Sequence, residues 1–211
     1  AVRRSRWAGG LDLDAHFDYS YDGVMRSYED SIQRLGMNRI DLLLIHDLDM
    51  RNHKIERRFN AHLDQLIGGG YRALSDLKAA GLIKAIGAGV NDLGTMPLFS
   101  ELFDLDFFLL AKRYTLGEQR TLDGEDQLCA EKGISLIVGS VFSTGLYAVG
   151  AGKGARYNYR VPTAAEEEKA ARIETICSRY EVPLPEAGEG PRMAGVAPVA
   201  QDRDAVAEFE H

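Results

Sequence analysis

Polar side chains follow the apolar runs of this sequence where strands would end, and they define the chemistry that the chain can support. His46 and Asp47 come directly after the apolar run at 40–45. An imidazole at the end of a strand can donate a hydrogen bond to a substrate oxygen or tune a neighbouring acid. The same histidine can equally be structural, paired with Asp47 or with the backbone, and position alone leaves both readings open.

Asn91 and the pair Arg113 and Tyr114 stand at the ends of the next two apolar runs. The Asn91 amide can bind a carboxamide or a substrate hydroxyl, or it can cap the following helix as part of an Asn-Asp turn. Arg113 and Tyr114 offer a cation and a stacking ring to a ligand, or else a surface ion pair and a packed ring. All three are therefore binding candidates with an open structural alternative.

A loop of small residues at 140–145 follows the fourth apolar run. Its backbone N–H groups precede a helix and suit a phosphate, although a plain strand-to-helix turn has the same composition. His16, His53 and His62 are scattered along the chain and are interpreted as surface residues. Neither these histidines nor the two cysteines have ligand spacing, so the sequence indicates no metal site and no disulfide.

The elements that must position these side chains alternate along the chain. Hydrophobic periodicity predicts strands at 40–45, 83–88, 106–110 and 134–138, and helices at 23–35, 62–80, 97–103, 124–132 and 163–180. We expect glycines 68–70 to interrupt the second helix, and Thr163 and Glu166 to open the last one with a capping box. After residue 183 prolines and glycines break the pattern, leaving at most a weak strand at 193–199 and a short helix at 204–209.

Buried strands that alternate with amphipathic helices predict an α/β fold with a parallel sheet covered by helices. An open doubly wound sheet and a β/α barrel both fit, and in both of them ligands gather at the C-terminal ends of the strands. No G-x-G-x-x-G motif follows any of the apolar runs, which weakens the doubly wound, dinucleotide-binding alternative.

The net negative charge of the chain limits the classes of partner that it can bind. The formal net charge is −7, which argues against a nucleic acid or an anionic membrane surface as partner. No apolar stretch approaches the ~20 residues that span a bilayer, and the start of the chain lacks the features of a signal peptide. We therefore expect a cytoplasmic protein that acts on a small molecule.

The sequence resembles the aldo-keto reductase superfamily in several motifs that occur in the right order. They include FDYSYDGVMRS at 17–27, RIDLLLIHD at 39–47, IGAGVN at 86–91, RYTL at 113–116, VFSTGL at 141–146 and YNY at 157–159. The similarity runs from Phe17 to Leu184 and is greatest to the branch of D-threo-aldose (L-fucose) 1-dehydrogenase and pyridoxal 4-dehydrogenase. It implies a (β/α)8 barrel and hydride transfer between NAD or NADP and an aldose or a pyridoxal-like aldehyde.

The resemblance also implies roles for individual residues. By position, His46 is the histidine of the catalytic Asp-Tyr-Lys-His tetrad, and Asn91 matches the residue that contacts the cofactor carboxamide. A substrate pocket would include Asp47, Arg113 and Tyr114. The loop that covers the cofactor pyrophosphate corresponds to Ser140, Val141, Phe142, Ser143, Gly145 and Leu146. Asp202 lies near the expected ribose position and favours NAD over NADP, because an acid would repel a 2′-phosphate.

The sequence also departs from the family pattern. The tetrad Asp, Tyr and Lys would all precede Phe17, and Ala111 and Gly139 stand where a glutamine and a stacking tyrosine are common. We therefore expect a truncated chain: a partial (β/α)8 barrel at 1–184 that lacks its first strands, then a divergent C-terminal segment at 185–211. Such a chain would be inactive by itself and would form a homo-oligomer through its exposed barrel edge. The alternatives are a non-catalytic remnant and an interaction protein built on half a barrel.

Overall fold

The computed structural model describes residues 16–92, 94–111 and 114–188. Its centre is a parallel sheet of four strands, which are β1 (Leu42–Ile45), β2 (Ala85–Val90), β3 (Phe107–Ala111) and β4 (Ser135–Gly139). The strands hydrogen-bond to one another in sequence order, β1-β2-β3-β4. A doubly wound sheet reverses its strand order, so this sheet is an arc of a β/α barrel, and the predicted fold class is confirmed.

Helices follow each strand and precede the first. They are α1 (Tyr21–Leu35), α2 (Met50–His53), α3 (Glu56–Gln65), α4 (Tyr71–Ala79), α5 (Thr95–Leu102), α6 (Glu125–Lys132), α7 (Leu146–Val149), α8 (Ala164–Arg179) and α9 (Leu184–Gly188). A π-helical turn, Leu66–Gly70, joins α3 to α4, and a 3₁₀ turn, Arg120–Asp123, precedes α6. None of the helices in the described ranges combines the length and the apolar character needed to cross a membrane.

The core lies between the sheet and its helices. Ile86, Val90, Phe108 and Leu110 are almost completely buried, as expected for a parallel sheet with two covered faces. Gly87 makes room for a neighbour, since a Cβ there would lie 2.5 Å from the Phe107 ring on the adjacent strand. Close packing of this kind fixes the strands and therefore the positions of the residues that follow them.

Strands β1 and β2 each begin two residues later than predicted. The carbonyl oxygen of Asp41 accepts hydrogen bonds from the N–H groups of Lys84 and Ala85, at 2.7 and 3.1 Å, just before the regular ladder starts. β2 ends at Val90, two residues later than predicted. Asn91 is therefore the first residue after this strand, as His46 is the first after β1.

The predicted interruption at glycines 68–70 is present as the π-helical turn Leu66–Gly70, within a stretch that stays helical from Glu56 to Ala79. The glycines also allow a close approach to the segment before α1. A Cβ on Gly70 would lie 2.0 Å from the carbonyl oxygen of Tyr19, whereas one on Gly68 would meet nothing within 4 Å. The glycines therefore mark both a change in helix type and a close tertiary contact.

Caps define both ends of α1. The Ser20 hydroxyl accepts the N–H of Gly23 at 3.2 Å, so the helix starts two residues before the predicted position. Gly36 ends it in the left-handed region with φ 62°, as its position after Leu35 predicts. The segment before α1 is thereby directed toward the strand ends.

The predicted capping box of α8 is present. The Thr163 hydroxyl accepts the N–H of Glu166, and the Glu166 carboxylate accepts the N–H of Thr163 at 2.7 Å. The same carboxylate pairs with Arg160. Arg160 first, with the Thr163 bonds adding to it, lowers the pKa of Glu166 to about 2. This corner holds the loop before α8 rigidly against the helix.

The region after 183 was expected to lack regular structure up to residue 193, but α9 forms there. Pro185 lies in its first turn, where the missing N–H is not needed. Gly188 packs on the 140–146 loop, since a Cβ there would lie 2.9 Å from the Phe142 ring. The predicted strand at 193–199, the predicted helix at 204–209 and Asp202 lie outside the described residues.

Candidate active site

His46 stands at the C-terminal end of β1 with its side chain 62% exposed. Its ring lies beside β2, with Cδ2 3.5 Å from the position of a Cβ built on Gly89. Nδ1 is 3.6 Å from the nearer carboxylate oxygen of Asp47, beyond ordinary hydrogen-bond length. His46 is thus accessible to a ligand and is not a buried structural histidine.

Tyr19 supports the peptide that carries His46. The buried Tyr19 hydroxyl donates to the carbonyl oxygen of His46 at 2.7 Å. Burial raises the pKa of this phenol well above its usual value, and the carboxylates of Asp47 and Asp49 raise it further. Tyr19 is therefore a neutral hydrogen-bond donor that orients the strand end.

The interpretation of the histidines as scattered surface residues is wrong for His53. It is 1% exposed, and its ring centroid lies 4.6 Å from that of the half-buried His62. Phe17 and Tyr19 contact both rings. Burial lowers the pKa of His53, as does the neighbouring His62. These two histidines lie in different helices, so spacing along the chain could not bring them together.

Asn91 does not cap the following helix, which removes one of its two interpretations. The N-cap of α5 is Gly94, with no side-chain cap, and the Glu125 carboxylate accepts the Gly94 N–H at 3.2 Å. Asn91 instead lines a cavity of about 180 Å³ at the C-terminal ends of the strands. The described residues that line this strand-end cavity are Arg51, Asn91, Ala111, Glu118, Arg120, Tyr157 and Asn158.

Three of the seven described residues that line the strand-end cavity, Arg51, Glu118 and Arg120, were missed in the sequence because they come from separate loops. Glu118 accepts two bonds from the Arg120 guanidinium, at 2.8 and 3.0 Å, and this pairing lowers the pKa of Glu118. The Arg51 backbone N–H donates to Asp92 at 3.1 Å, which ties α2 to the end of β2. In the sequence, Asn91 was already a binding candidate, and the family resemblance had marked Ala111 and the YNY motif at 157–159.

The other predicted pocket residues do not line the cavity where the structure describes them. Tyr114 is 9% exposed and does not line the cavity, and Arg113 lies outside the described residues. Asp47 adopts the left-handed conformation with φ 55° directly after His46. His46, Asn91 and the 140–146 loop thus follow β1, β2 and β4 at one edge of the sheet.

The 140–146 loop is a compact turn. Ser140, Ser143 and Thr144 all have positive φ, between 47° and 63°. The Ser143 and Gly145 N–H groups donate within the loop, to the carbonyl oxygens of Ser140 and Phe142, both at 2.9 Å. These two N–H groups are therefore not available to a phosphate. The following α7 has only four residues, so it adds little dipole for an anion.

No group of three or more His, Cys, Asp and Glu side chains in the described parts of the chain is arranged to hold a metal ion. Both cysteines are buried and free, and burial raises the pKa of Cys129 to about 11.

Residues 6–187 match the family model described as "Aldo/keto reductase family". Pyridoxal 4-dehydrogenase from Microbacterium luteolum is 41% identical over 181 residues, which are 85% of this chain and 52% of that protein. D-threo-aldose 1-dehydrogenase from a Pseudomonas species is 35% identical over 179 residues, 83% of this chain and 51% of that protein. The chain thus spans about half the length of these curated relatives.

Solved structures of aldo-keto reductases and related dehydrogenases have the same fold as this chain. A holo aldo-keto reductase from Bacillus halodurans superposes with a TM-score of 0.60 at 19% identity, covering 90% of this chain and 61% of that one. A glycerol dehydrogenase from Gluconobacter oxydans gives the same TM-score at 17% identity, covering 82% and 51%.

Proposed function

The chain belongs to the aldo/keto reductase family, and we propose from this that the protein is an NAD(P)-dependent oxidoreductase. The observation that supports it most is the strand-end cavity beside Asn91, with His46 exposed on the neighbouring strand end. Ligands of parallel α/β folds bind at this edge, where side chains from different strands converge. A cavity of this volume is smaller than the roughly 300–1,000 Å³ of drug-sized sites, so it suits part of a cofactor or a small substrate.

The residues present fit a nicotinamide. Asn91 lines the cavity with a primary amide, which can exchange hydrogen bonds with a carboxamide, and Ala111 at the end of β3 leaves space beside it. The hydroxyl groups of Ser140 and Thr144 in the 140–146 loop would hold the pyrophosphate. When bound, the nicotinamide supplies the hydride acceptor. We propose that the cofactor is NAD and not NADP. The only basis for this choice is the negative charge of Asp202, which would repel the 2′-phosphate of NADP.

In the oxidation that we propose, the aldehyde reacts as its hemiacetal: the carbon would give up a hydride to the cofactor, and the proton of its hydroxyl would leave to solvent water. His46 would orient the substrate oxygen, since its exposed ring can donate a hydrogen bond to that atom. Tyr19 would act on His46 by fixing its carbonyl group. The substrate class that we propose is an aldose or a pyridoxal-like aldehyde, by analogy with the names of the two curated relatives.

A second candidate function is cofactor or ligand binding without turnover by this 211-residue chain. Proton transfer needs a group whose pKa lies near the working pH. Burial instead raises the pKa values of Tyr19, Tyr147 and Tyr157, that of Tyr147 to about 12. None of these three phenols is activated as an acid–base group, which favours an inactive chain.

Two measurements on the full chain separate these functions. Reduction of NAD and NADP is assayed with a panel of aldoses and pyridoxal, and dinucleotide binding is measured by calorimetry. Turnover that falls ~10²-fold or more in His46→Ala, but not in the exposed control His16→Ala, supports the oxidoreductase with His46 in its mechanism. Binding without turnover supports the second function, and a chain that does neither contradicts both.

We also propose self-association at the β1 edge. In the described part of the chain this strand pairs only with β2. Leu42 on the strand and the nearby Leu35 and Met37 are each more than 40% exposed. Unpaired strand groups and apolar surface favour pairing with a second copy. Light scattering of Leu42→Lys against the original chain tests this, and an unchanged oligomeric state would argue against the edge.

A further inference from the structure

The turn at 157–160, beside the strand-end cavity, has a strained backbone. Asn158 and Tyr159 both have positive φ, 51° and 63°. Tyr157 and Arg160 exchange two backbone hydrogen bonds, at 2.9 and 3.1 Å, across this two-residue turn. Such turns favour Asn and Gly at the two central positions, and a tyrosine in the second is strained. Strained residues persist where the surrounding structure fixes them, and they cluster at ligand sites.

The surrounding structure does fix this turn. The Arg160 guanidinium donates two hydrogen bonds to Glu166, at 2.7 and 2.8 Å, and lies 5.6 Å from the centre of the Tyr157 ring. Glu166 in turn belongs to the capping box that opens α8. A 16-residue helix therefore holds the turn in place, and Asn158 is presented to the cavity at a defined position.

Asn158 brings an unused hydrogen-bonding group to that position. Its Oδ1 is buried and has no hydrogen-bond partner among the described residues. Burying an amide oxygen without a partner is costly, and such an atom calls for a ligand or an ordered water. Asn91 and Ala111 line the same cavity, so a ligand held there meets amide groups from two different loops.

The charges around the cavity favour a neutral ligand. Arg120 is neutralised by two hydrogen bonds to Glu118. Arg51 also lines the cavity, and its cationic side chain disfavours a cationic ligand. The Asn158 Oδ1 is an acceptor that disfavours an anion beside it, so a neutral hydrogen-bond donor suits this position.

We propose that Asn158 is a ligand-binding residue whose Oδ1 accepts a hydrogen bond from a neutral group in the strand-end cavity. That donor is a carboxamide N–H, as in nicotinamide, or a hydroxyl, as in an aldose. Binding to either one requires the side-chain amide to rotate so that this buried oxygen faces the cavity. Only the identity of these two ligands rests on the proposed function. The binding role itself rests on the cavity, the buried oxygen and the fixed turn.

The test titrates free nicotinamide and free aldoses separately into the full ¹⁵N-labelled chain and follows binding by NMR. Asn158→Gly removes the amide and suits the positive φ, so the turn should remain folded. Asn158→Asp keeps an acceptor oxygen at the same place. The matched control is Tyr159→Gly, which changes the neighbouring position of the same turn and leaves the amide. Thermal unfolding of each variant confirms that it is folded.

We expect Asn158→Gly to weaken the affinity for one of the two probes roughly 5- to 10-fold, the effect of one lost neutral hydrogen bond. Asn158→Asp and Tyr159→Gly should both retain that affinity. A loss confined to nicotinamide identifies the carboxamide as the donor, and a loss confined to the aldoses identifies the hydroxyl. If the chain binds neither probe, or if Asn158→Gly binds both as well as the original chain, the inference is overturned.

Dinucleotide binding and turnover, measured on the same proteins, test the proposed function independently. If neither NAD nor NADP binds but probe affinity depends on Asn158, the oxidoreductase proposal fails and this inference stands. If a dinucleotide binds and is reduced while every Asn158 variant binds the probes equally, only this inference fails.

Discussion

Replacing Gly70 by alanine should destabilise the protein, although Gly70 lies in helical backbone where alanine is normally the better residue. Its φ and ψ are −62° and −43°, so backbone preference alone predicts a gain of about 0.5–1 kcal/mol. A Cβ there would, however, lie 2.0 Å from the carbonyl oxygen of Tyr19 and 3.1 Å from a methyl carbon of Leu66. The first contact is with backbone, which cannot rotate away as a side chain can.

The size of the effect follows from these opposing terms. Forcing a methyl group into a packed site costs about 1–3 kcal/mol, and a backbone contact places this case at the upper end. After the helical gain is subtracted, we expect Gly70→Ala to lower the free energy of unfolding by about 2 kcal/mol. Gly68→Ala is the matched control, because it lies two residues away in the same helical turn and meets nothing within 4 Å. It should raise the stability by about 0.5–1 kcal/mol.

Thermal unfolding followed by circular dichroism compares the two variants. The free energies of unfolding of Gly70→Ala and Gly68→Ala should differ by about 3 kcal/mol. For a chain of this size, that corresponds to a difference in Tm of roughly 6–12 °C. NMR of the histidine rings gives a second readout, since moving the Tyr19 backbone disturbs the hydrogen bond from Tyr19 to the His46 carbonyl oxygen. If Gly70→Ala and Gly68→Ala had equal Tm values, the close approach to the Tyr19 backbone would not be the reason for a glycine at position 70.

Three further predictions concern charge and burial. Because Arg160 lowers the pKa of Glu166 to about 2, the stability that this carboxylate provides is present above about pH 4.5 and is lost as the pH falls towards 2. Glu166→Gln should therefore cost about 1–2 kcal/mol at pH 7 and flatten the loss of stability in acid, as urea titrations at several pH values would show. Asp106→Ala should cost about 1–2 kcal/mol, because Asp106 accepts the Ile86 N–H at 2.7 Å. Asp106→Asn keeps an acceptor and should cost clearly less in the same titrations. Burial raises the pKa of Cys129 to about 11, so at pH 8 its alkylation in the folded protein should be far slower than in urea, and equal rates would contradict its burial.

The local elements of this fold could be predicted because their determinants are local. Apolar runs marked all four strands, Gly36 ended α1 and the pair Thr163 and Glu166 opened α8. The shift of the first two strand starts by two residues came from hydrogen bonds between Asp41 and the segment before β2, which are about forty positions apart. Local periodicity contains no information about such a bond.

The sequence by itself determined which residues follow strands, because a run of apolar residues and its end are written in adjacent positions. His46 and Asn91 were found in this way, and both lie where the parallel sheet brings the strand ends together. Only the tertiary structure decided which loops close over that edge. It buried His53 against His62, brought Gly70 into contact with the Tyr19 backbone, and placed Asn158 in a cavity with Asn91. Each of these contacts joins segments that are far apart in the chain, and it exists because close packing of the helices on the sheet leaves one arrangement in which they fit.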